Sequence, residues 1–386
     1  MENQSHPPLR HAVVIGGSLG GLFSGLLLRS IGWNVDIFER SPHDLDSRGG
    51  GIVLQPDVLQ AFRRSGVRYD TTLGVEAAER IYLDREGGIA HRIPMRQMMT
   101  SWTSLYAAMR RAFSADHYHQ GAELVGFDQD QDGVLACFAD GRQARGDLLV
   151  GADGGNSFVR RQLIPDVRAD YAGYIAWCGL IEEPDLPEAA AALLRDRFSF
   201  FEYPNSHMLV YLVPGAHEAI APGQRRYNWV WYRNATEARR TDLLTDRDGR
   251  QRTSSVPPGL ISAAAETDLR QAAVRDLPPP FRMLVDATHE PFLQSIQDLS
   301  VRRMAIGRIA LIGDAAFIPR PHTAASTAKA AANALGLADA LKRNGDIVAA
   351  LRAWEPDQIQ YGLHLRRQGT AFGNKSQNSY PEPANA

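Results

Sequence analysis

The sequence predicts an α/β fold carrying an inserted, mixed antiparallel sheet (an α+β insert), and three observations carry that prediction. A β-branched run, His11-Ala-Val-Val-Ile15, leads into a glycine-rich turn, a helix and a second strand that ends at Glu39. Two distant apolar runs, Leu148-Leu-Val-Gly-Ala-Asp153 and Arg308-Ile-Ala-Leu-Ile-Gly-Asp314, also end in Gly and Asp. Between them, from about Tyr171 to Arg233, the composition shifts to short aromatic-rich runs. Continuous apolar runs suit strands buried on both faces of a parallel sheet, whereas aromatic and β-branched runs between turns suit antiparallel strands.

Each element has a local reason. Leu22, Leu26 and Leu27 share one helical face before Ile31, and Gly32 supplies a stop. Trp33 to Phe38 forms the second strand. Met208-Leu-Val-Tyr-Leu-Val213 and Tyr227-Asn-Trp-Val-Trp-Tyr232 read as sheet strands. Residues 236–258 are polar, contain Pro257-Pro258, and predict a long exposed connection. An Ala-rich stretch from about Thr323 to Lys342 predicts a helix, and Asn374 to Ala386 a frayed end. No internal repeat or low-complexity tract is present.

With 386 residues, about two domains are expected. Lys+Arg is 42 and Asp+Glu is 44, a net charge of −2, which argues against a nucleic-acid partner. Of the 42 basic residues only three are Lys, a bias of composition as much as of function. Two cysteines, Cys137 and Cys178, exclude a disulfide scaffold and a four-Cys zinc site. No His/Cys/carboxylate cluster has metal-ligand spacing, so no metal is expected. The N-terminus lacks a secretory pattern, and the longest apolar stretch, residues 12–28, is broken by Ser and Gly and falls short of the ~20 residues of a bilayer span. The expectation is a cytoplasmic protein with reduced cysteines and no membrane partner.

The glycine-rich turn places Gly16, Ser18 and Gly21 where a dinucleotide fingerprint needs a tight turn, close backbone approach to pyrophosphate, and close helix–strand packing. Ser18 replaces the usual second Gly, and with Leu19 it opens a helix whose N-terminal amides suit phosphate. Glu39 follows Gly21 by 18 residues, near the ~20 of a ribose-binding acid. The bland alternative is a plain turn with a solvated Glu39. Asp153-Gly154 and Gly313-Asp314 each end a strand at a sheet edge. Taken separately, one reads equally as a turn and the other as a helix cap.

Together the three motifs resemble the FAD-dependent aromatic hydroxylases, single-component flavoprotein monooxygenases typified by p-hydroxybenzoate and salicylate hydroxylases. Within that family the chain is similar to the dihydroxypyridine hydroxylases through Gly16-Gly-Ser, Gly51-Ile-Val-Leu-Gln-Pro56, Tyr171-Ala-Gly-Tyr174 with Trp177, and Gly313-Asp-Ala-Ala-Phe-Ile-Pro-Arg-Pro-His322. The resemblance implies a Rossmann-like FAD domain of the p-hydroxybenzoate hydroxylase type, with a substrate domain as roof. The expected division is 1–75, 101–170 and 291–345 for FAD, 76–100 and 171–290 for substrate, and a C-terminal helical segment and tail over 346–386. It implies that Glu39, with Arg40 beside it, holds the adenosine ribose, that Arg48 lies along the ribityl or pyrophosphate region, and that Leu124 borders the adenine. Asp153 and Gly154 would serve FAD and the reduced nicotinamide, and Asp314 the ribityl hydroxyls. Pro321, Ala324, Ala325 and Ser326 would pass the flavin ring, within a segment running to Lys329.

The implied reaction uses NADH or NADPH and O2 to hydroxylate a small hydroxylated aromatic ring, hydroxypyridine-like or phenolic, through a flavin C4a-hydroperoxide. A base that withdraws the substrate hydroxyl proton would raise ring nucleophilicity. His322 is the first candidate, since the resemblance sets it beside the flavin; His207, Tyr211, Tyr203 and Tyr232 follow. A structural histidine bonded to backbone is the competing reading. Arg320 is a candidate for attracting an anion or for a surface role, and Lys329 reads as a plain helix residue. Two other functions stay open, an oxidoreductase without oxygen insertion and a non-catalytic FAD-binding protein; a homodimer also stays open. Four sites depart from the family pattern. Trp102 stands where many members have an Arg that contacts FAD, Thr323-Ala324-Ala325-Ser326-Thr327-Ala328-Lys329 stands where relatives carry several glycines, Asn333 where they often have Asp, and Cys178 where they often have Arg. Arg110 or Arg111 is the candidate substitute for the lost cation.

Overall fold

The computed structural model describes residues 10–45, 50–69 and 73–377. The three apolar runs that lie far apart in sequence become neighbours in one sheet. His11–Ile15 pairs in parallel with Asn34–Phe38 on one side and Leu148–Gly151 on the other, and Leu148–Gly151 pairs with Ile309–Leu311. Tyr118–His119 and Ala305–Ile306 complete six strands at the two edges. Ala12, Val13 and Val14 are fully buried, as strands covered on both faces require. The helices Leu19–Ser30 and Ser326–Arg343 pack together. A three-stranded meander, Leu124–Gln129, Val134–Phe138 and Gln143–Gly146, is joined to the sheet by Phe38 stacking on Phe138 at 4.3 Å.

The second sheet has ten strands, most of them antiparallel. Its centre runs Phe292–Ser300, Asp170–Glu182, Arg226–Asn234, Ser206–Val213, Arg197–Tyr203, Val75–Leu83 and Ile89–Ser101. Arg197–Tyr203 and Val75–Leu83 are a parallel pair within it. The two-residue period of a strand sorts its side chains. Trp177, Trp229, Trp231 and Met208 enter a core shared with residues of the helices Ala263–Asp276 and Pro279–Asp286. The alternate set, Ala176, Cys178, His207, Tyr211 and Tyr232, lines a cavity on the opposite face. Gly51–Val53 and Phe292–Ser300 both join this sheet, although the expected division set them in stretches assigned to FAD.

Two expectations are corrected. Residues 236–258 are not one exposed connection. Thr236 caps a helix, Glu237–Leu243, by accepting from the Arg239 amide at 3.2 Å, and Leu243 and Leu244 are buried beneath it. Polar composition hid a helix held by a cap and two apolar anchors. The chain also does not fray at Asn374. The helix Ile347–Gln377 continues, its end fixed by bonds from Arg320 to Asn374 and from Gln377 to His207. Gly373 permits this approach, since a Cβ there would lie 2.7 Å from the Tyr174 hydroxyl. The expected tail from 378 onward lies outside the described residues.

Candidate active site

The turn after the first strand, with four glycines in residues 16–21, forms a cradle of nearly bare backbone. Gly16 has φ +103°, and a Cβ on Gly21 would lie 1.8 Å from the Gly16 carbonyl oxygen. Ser18 is the N-cap residue, but its hydroxyl does not cap the helix. The first-turn amides from Leu19 onward have no acceptor within the helix and carry its positive end. Glu39 is buried; Oε2 accepts from the Gly17 amide and Oε1 from the Ser41 amide, each at 2.8 Å. Each oxygen keeps a second lone pair for a hydroxyl. Arg40 is exposed beside it, and Leu124 is buried at the start of its strand. Arg48 lies outside the described residues. Trp102 stacks on Tyr106 at 4.9 Å. Arg110 lies 4.1 Å over the Tyr118 ring, whose hydroxyl donates to the Gly17 carbonyl at 2.8 Å. Arg110 therefore stands behind the fingerprint, whereas Arg111 is exposed and paired with Glu218.

The second and third motifs meet across the sheet edge. Asp153 Oδ2 accepts from the Phe158 and Val159 amides at 2.7 and 3.1 Å, and burial pushes the carboxyl pKa up. Its Oδ1 is buried without a hydrogen-bond partner among the described residues. Gly154 makes the turn at φ +77°. Arg160 donates to Gly155 O and Ala315 O, tying the two motifs together. Asp314 Oδ1 accepts from Ser326 Oγ at 3.0 Å and Lys329 Nζ at 2.8 Å. Lys329 is thus no plain helix residue. It is buried and also donates to the Phe317 carbonyl. Asn333 Oδ1 accepts from the Gly313 amide at 3.1 Å, so an amide replaces an acid while keeping the acceptor. A bare cradle, open helix amides, an orphaned Asp153 oxygen and a half-open Asp314 carboxylate fit a group with a pyrophosphate and a polyhydroxyl chain.

The large sheet and the segment after Asp314 enclose a cavity of about 1020 Å³. His322, His207 and Tyr211 line it, as do Tyr203, Tyr232, Pro321, Ala324 and Ser326, whereas Ala325 is buried. His322 Nε2 is 2.7 Å from the Tyr174 hydroxyl, and the His322 ring lies 4.8 Å from Tyr232 and 5.1 Å from His207. Burial, His207 and Arg320 hold the His322 imidazole well below its usual range, and burial pushes His207 down to about 4. The phenols of Tyr174, Tyr211 and Tyr232 are pushed up by burial and stay protonated. Tyr211 sits edge-on to Phe198 and blocks any side chain at Gly51. Cys178 is a buried thiol on the same wall, its pKa raised to about 12 by burial. Arg320 corrects both readings offered for it. It is buried and bonded to Asp298 at 2.9 Å and to Asn374, neither on the surface nor free for an anion. Tyr174 lies in a stretch that carries the family resemblance, but neither it nor Asn228 nor Gln377 is a site candidate from sequence; their contacts with His322, Gly51 and His207 bring them to the site.

A family model described as FAD binding domain-like matches residues 171–298. Over 373 residues the chain is 36% identical to the 2,6-dihydroxypyridine 3-monooxygenase of Paenarthrobacter nicotinovorans, covering 96% of this chain and 90% of that protein. The chain belongs to the FAD-dependent aromatic-ring monooxygenases. It is 27% identical to the 6-hydroxynicotinate 3-monooxygenase of Bordetella bronchiseptica, over 92% of this chain and 89% of that one. The solved 2,6-dihydroxypyridine-3-hydroxylase of Arthrobacter nicotinovorans superposes with a TM-score of 0.91 at 33% identity, covering 98% of this chain and 96% of that one. A salicylate hydroxylase complex shares the fold, with a TM-score of 0.74 at 20% identity, over 97% and 90% of the two chains.

In this monooxygenase FAD supplies hydride acceptance from NAD(P)H and activation of O2, and the protein supplies binding, orientation and electrostatics. Two predictions arise from the site. Ala324 holds φ +51°, a conformation glycine adopts without strain. Ala324→Gly raises unfolding stability by roughly 0.5–1 kcal/mol in a urea titration. The second concerns pH. His207 and His322 are neutral when folded and titrate normally when unfolded, so the unfolded chain binds more protons. Stability therefore falls as pH drops below about 6.5 towards 4. His207→Gln flattens that fall in melting temperatures taken from pH 8 to 5.

Proposed function

We propose that this monooxygenase hydroxylates a carboxylate-free, hydroxylated nitrogen heterocycle of the dihydroxypyridine class. The observation that carries the proposal is the charge map of the cavity. Its lining includes Ala176, Cys178, Val230, Tyr232 and Phe292, with His207, His322 and Gln294 as neutral polar groups. The nearby cation, Arg320, is committed to Asp298. The charged residues that line the cavity are Arg80, half-buried, and Glu202 and Lys375, both exposed. A carboxylate buried against Ala176, Cys178, Tyr232 and His322, away from Arg80, would be an unpaired charge, which costs several kcal/mol. The 36% identical relative, named for 2,6-dihydroxypyridine, supports the same class.

In this reading the amides of the Gly16, Ser18, Leu19 and Gly21 turn hold the FAD pyrophosphate, and Glu39 with Arg40 holds the adenosine ribose near Leu124. Asp153 and Gly154 shape the phosphate side, Asp314 takes ribityl hydroxyls, and Pro321, Ala324, Ala325 and Ser326 border the ring system, with Arg48 completing the set. Substrate lies between that segment and the sheet, a crevice typical of ligand sites. His322, fixed through Nε2 by Tyr174, orients the substrate hydroxyl and takes up its proton. Being neutral, it is in the form a base needs; because the imidazolium is costly there, the proton is held only transiently. His207 and Tyr211 position the ring. Among the described residues no helix is long and apolar enough to cross a membrane. A cytoplasmic protein with reduced cysteines, assembled as a homodimer, is the accompanying proposal.

The test is aerobic NADH oxidation by the FAD-loaded protein with 2,6-dihydroxypyridine, 6-hydroxynicotinate, 3-hydroxybenzoate and salicylate, with products identified by mass spectrometry. Stimulation by the dihydroxypyridine, with a product one oxygen heavier, is expected. Equal or better turnover of a carboxylate compound overturns the charge-map reading.

A further inference from the structure

We propose that Arg80, Tyr82, Phe198 and Phe200 form the docking strip for the reduced nicotinamide dinucleotide. The strip lies on the parallel strand pair, where Phe198 is in register with Arg80 and Phe200 with Tyr82. The Tyr82 and Phe200 rings stack at 5.1 Å and 17°, and Phe198 lies 4.3 Å from Phe200. The Arg80 guanidinium sits 5.3 and 5.8 Å over Phe198 and Phe200. All four residues line the same cavity as Pro321 and His322.

Arg80 differs from its neighbours in its partner. Glu79 is shared by Arg92 and Arg197, whereas Arg80 Nε donates to the neutral Gln97 Oε1 at 2.7 Å. Among the described residues no carboxylate lies within ion-pair distance of Arg80. A half-buried cation on an aromatic platform selects an occupant that carries both a flat ring and an anion. The co-substrate of the family reaction carries both, in its bases and its pyrophosphate. It must also reach the cavity bordered by the Pro321–Ser326 segment, with which the strip is continuous. The proposal rests on the monooxygenase assignment and not on the identity of the ring substrate.

The test uses FAD-loaded protein and three variants, Arg80→Gln, Arg80→Lys and Phe200→Ala. Calorimetric titration with NAD+, which does not reduce the flavin, reads binding directly. Steady-state KM values are taken for NADH, NADPH and the ring substrate. For Arg80→Gln the Kd of NAD+ and the KM of the reduced dinucleotide rise about tenfold or more, the loss of one charge-assisted bond. FAD content and ring-substrate KM stay within twofold, and the melting temperature is unchanged. Arg80→Lys restores part of the loss, and Phe200→Ala weakens both nicotinamide readouts without a change in salt dependence. A raised ring-substrate KM with unchanged NADH parameters overturns the proposal and assigns the strip to the substrate. Unchanged values throughout also overturn it, leaving a packed wall. If every ring compound fails, the NAD+ titration still reads the strip independently.

Discussion

His322→Ala lowers substrate-coupled hydroxylation by about 10²–10⁴-fold, the range for a lost acid–base group, while FAD stays bound. His322 lines the cavity, its Nε2 is committed to Tyr174 at 2.7 Å, and its ring lies against Tyr232 and His207. One nitrogen is therefore used to fix the ring; the base role requires the tautomer in which Nε2–H donates to the Tyr174 oxygen and Nδ1 keeps its lone pair for the substrate proton. Tyr174 is fully buried and its phenol is held protonated, so the Tyr174–His322 bond persists across the working pH range. Tyr174→Phe removes the fixing bond but leaves the imidazole. It should cost less than His322→Ala and shift the acid limb of the kcat–pH profile, since a freed His322 ring gains access to water. The measurement is product formation per NADH consumed, with the flavin spectrum confirming occupancy. A His322→Ala protein that hydroxylates at the parental rate would return His322 to a structural role. If product falls while NADH oxidation persists as hydrogen peroxide, the loss lies in substrate orientation.

The parallel sheet was legible because its strands obey local rules. His11–Ile15, Leu148–Gly151 and Ile309–Leu311 are each mostly apolar, and each ends in or within two residues of a glycine, Gly16, Gly151 and Gly313, at a turn. Gly16, Gly21 and Glu39 stand out because a dinucleotide turn has short-range spacing, whereas Asp153 and Asp314 stand out only through the family resemblance. The substrate wall was legible only in part. The alternation in Ser206–Val213 marks His207 and Tyr211 as sharing a face, but not which face meets the cavity. Cooperation between residues far apart in sequence was hidden. Tyr174 and His322 are separated by 148 positions, His207 and Gln377 by 170, and Gly51 and Asn228 by 177. No periodicity reports such pairs. The same limit explains the misreading of Lys329 and Arg320, whose polar character suggests solvent until buried acceptors are placed beside them.

Arg320→Leu costs about 3–5 kcal/mol of stability, because it strands the Asp298 carboxylate in a buried site. Both partners are nearly inaccessible, at 7% and 6% exposure, so water cannot replace the lost cation. The guanidinium reaches three parts of the chain. It pairs with Asp298 on the strand Phe292–Ser300, donates to Asn374 on the C-terminal helix, and lies over the Tyr174 ring. Arg320 itself immediately precedes Pro321, so the bond network sets the segment that carries His322. Loosening it should raise the FAD dissociation constant as well as lower the melting temperature. Asp298→Leu alone is similarly harmful, since it leaves a buried cation. Replacing both with Leu removes the two buried charges together and should recover most of the stability, because the pair pays its own desolvation. A double-mutant cycle in urea, run with and without FAD, separates these effects. A strong positive coupling that restores folding but not FAD affinity would mean that the pair holds the segment in its binding geometry. Additive losses in the cycle would mean that the two residues act independently and that the ion pair is not the element joining sheet, helix and cofactor segment.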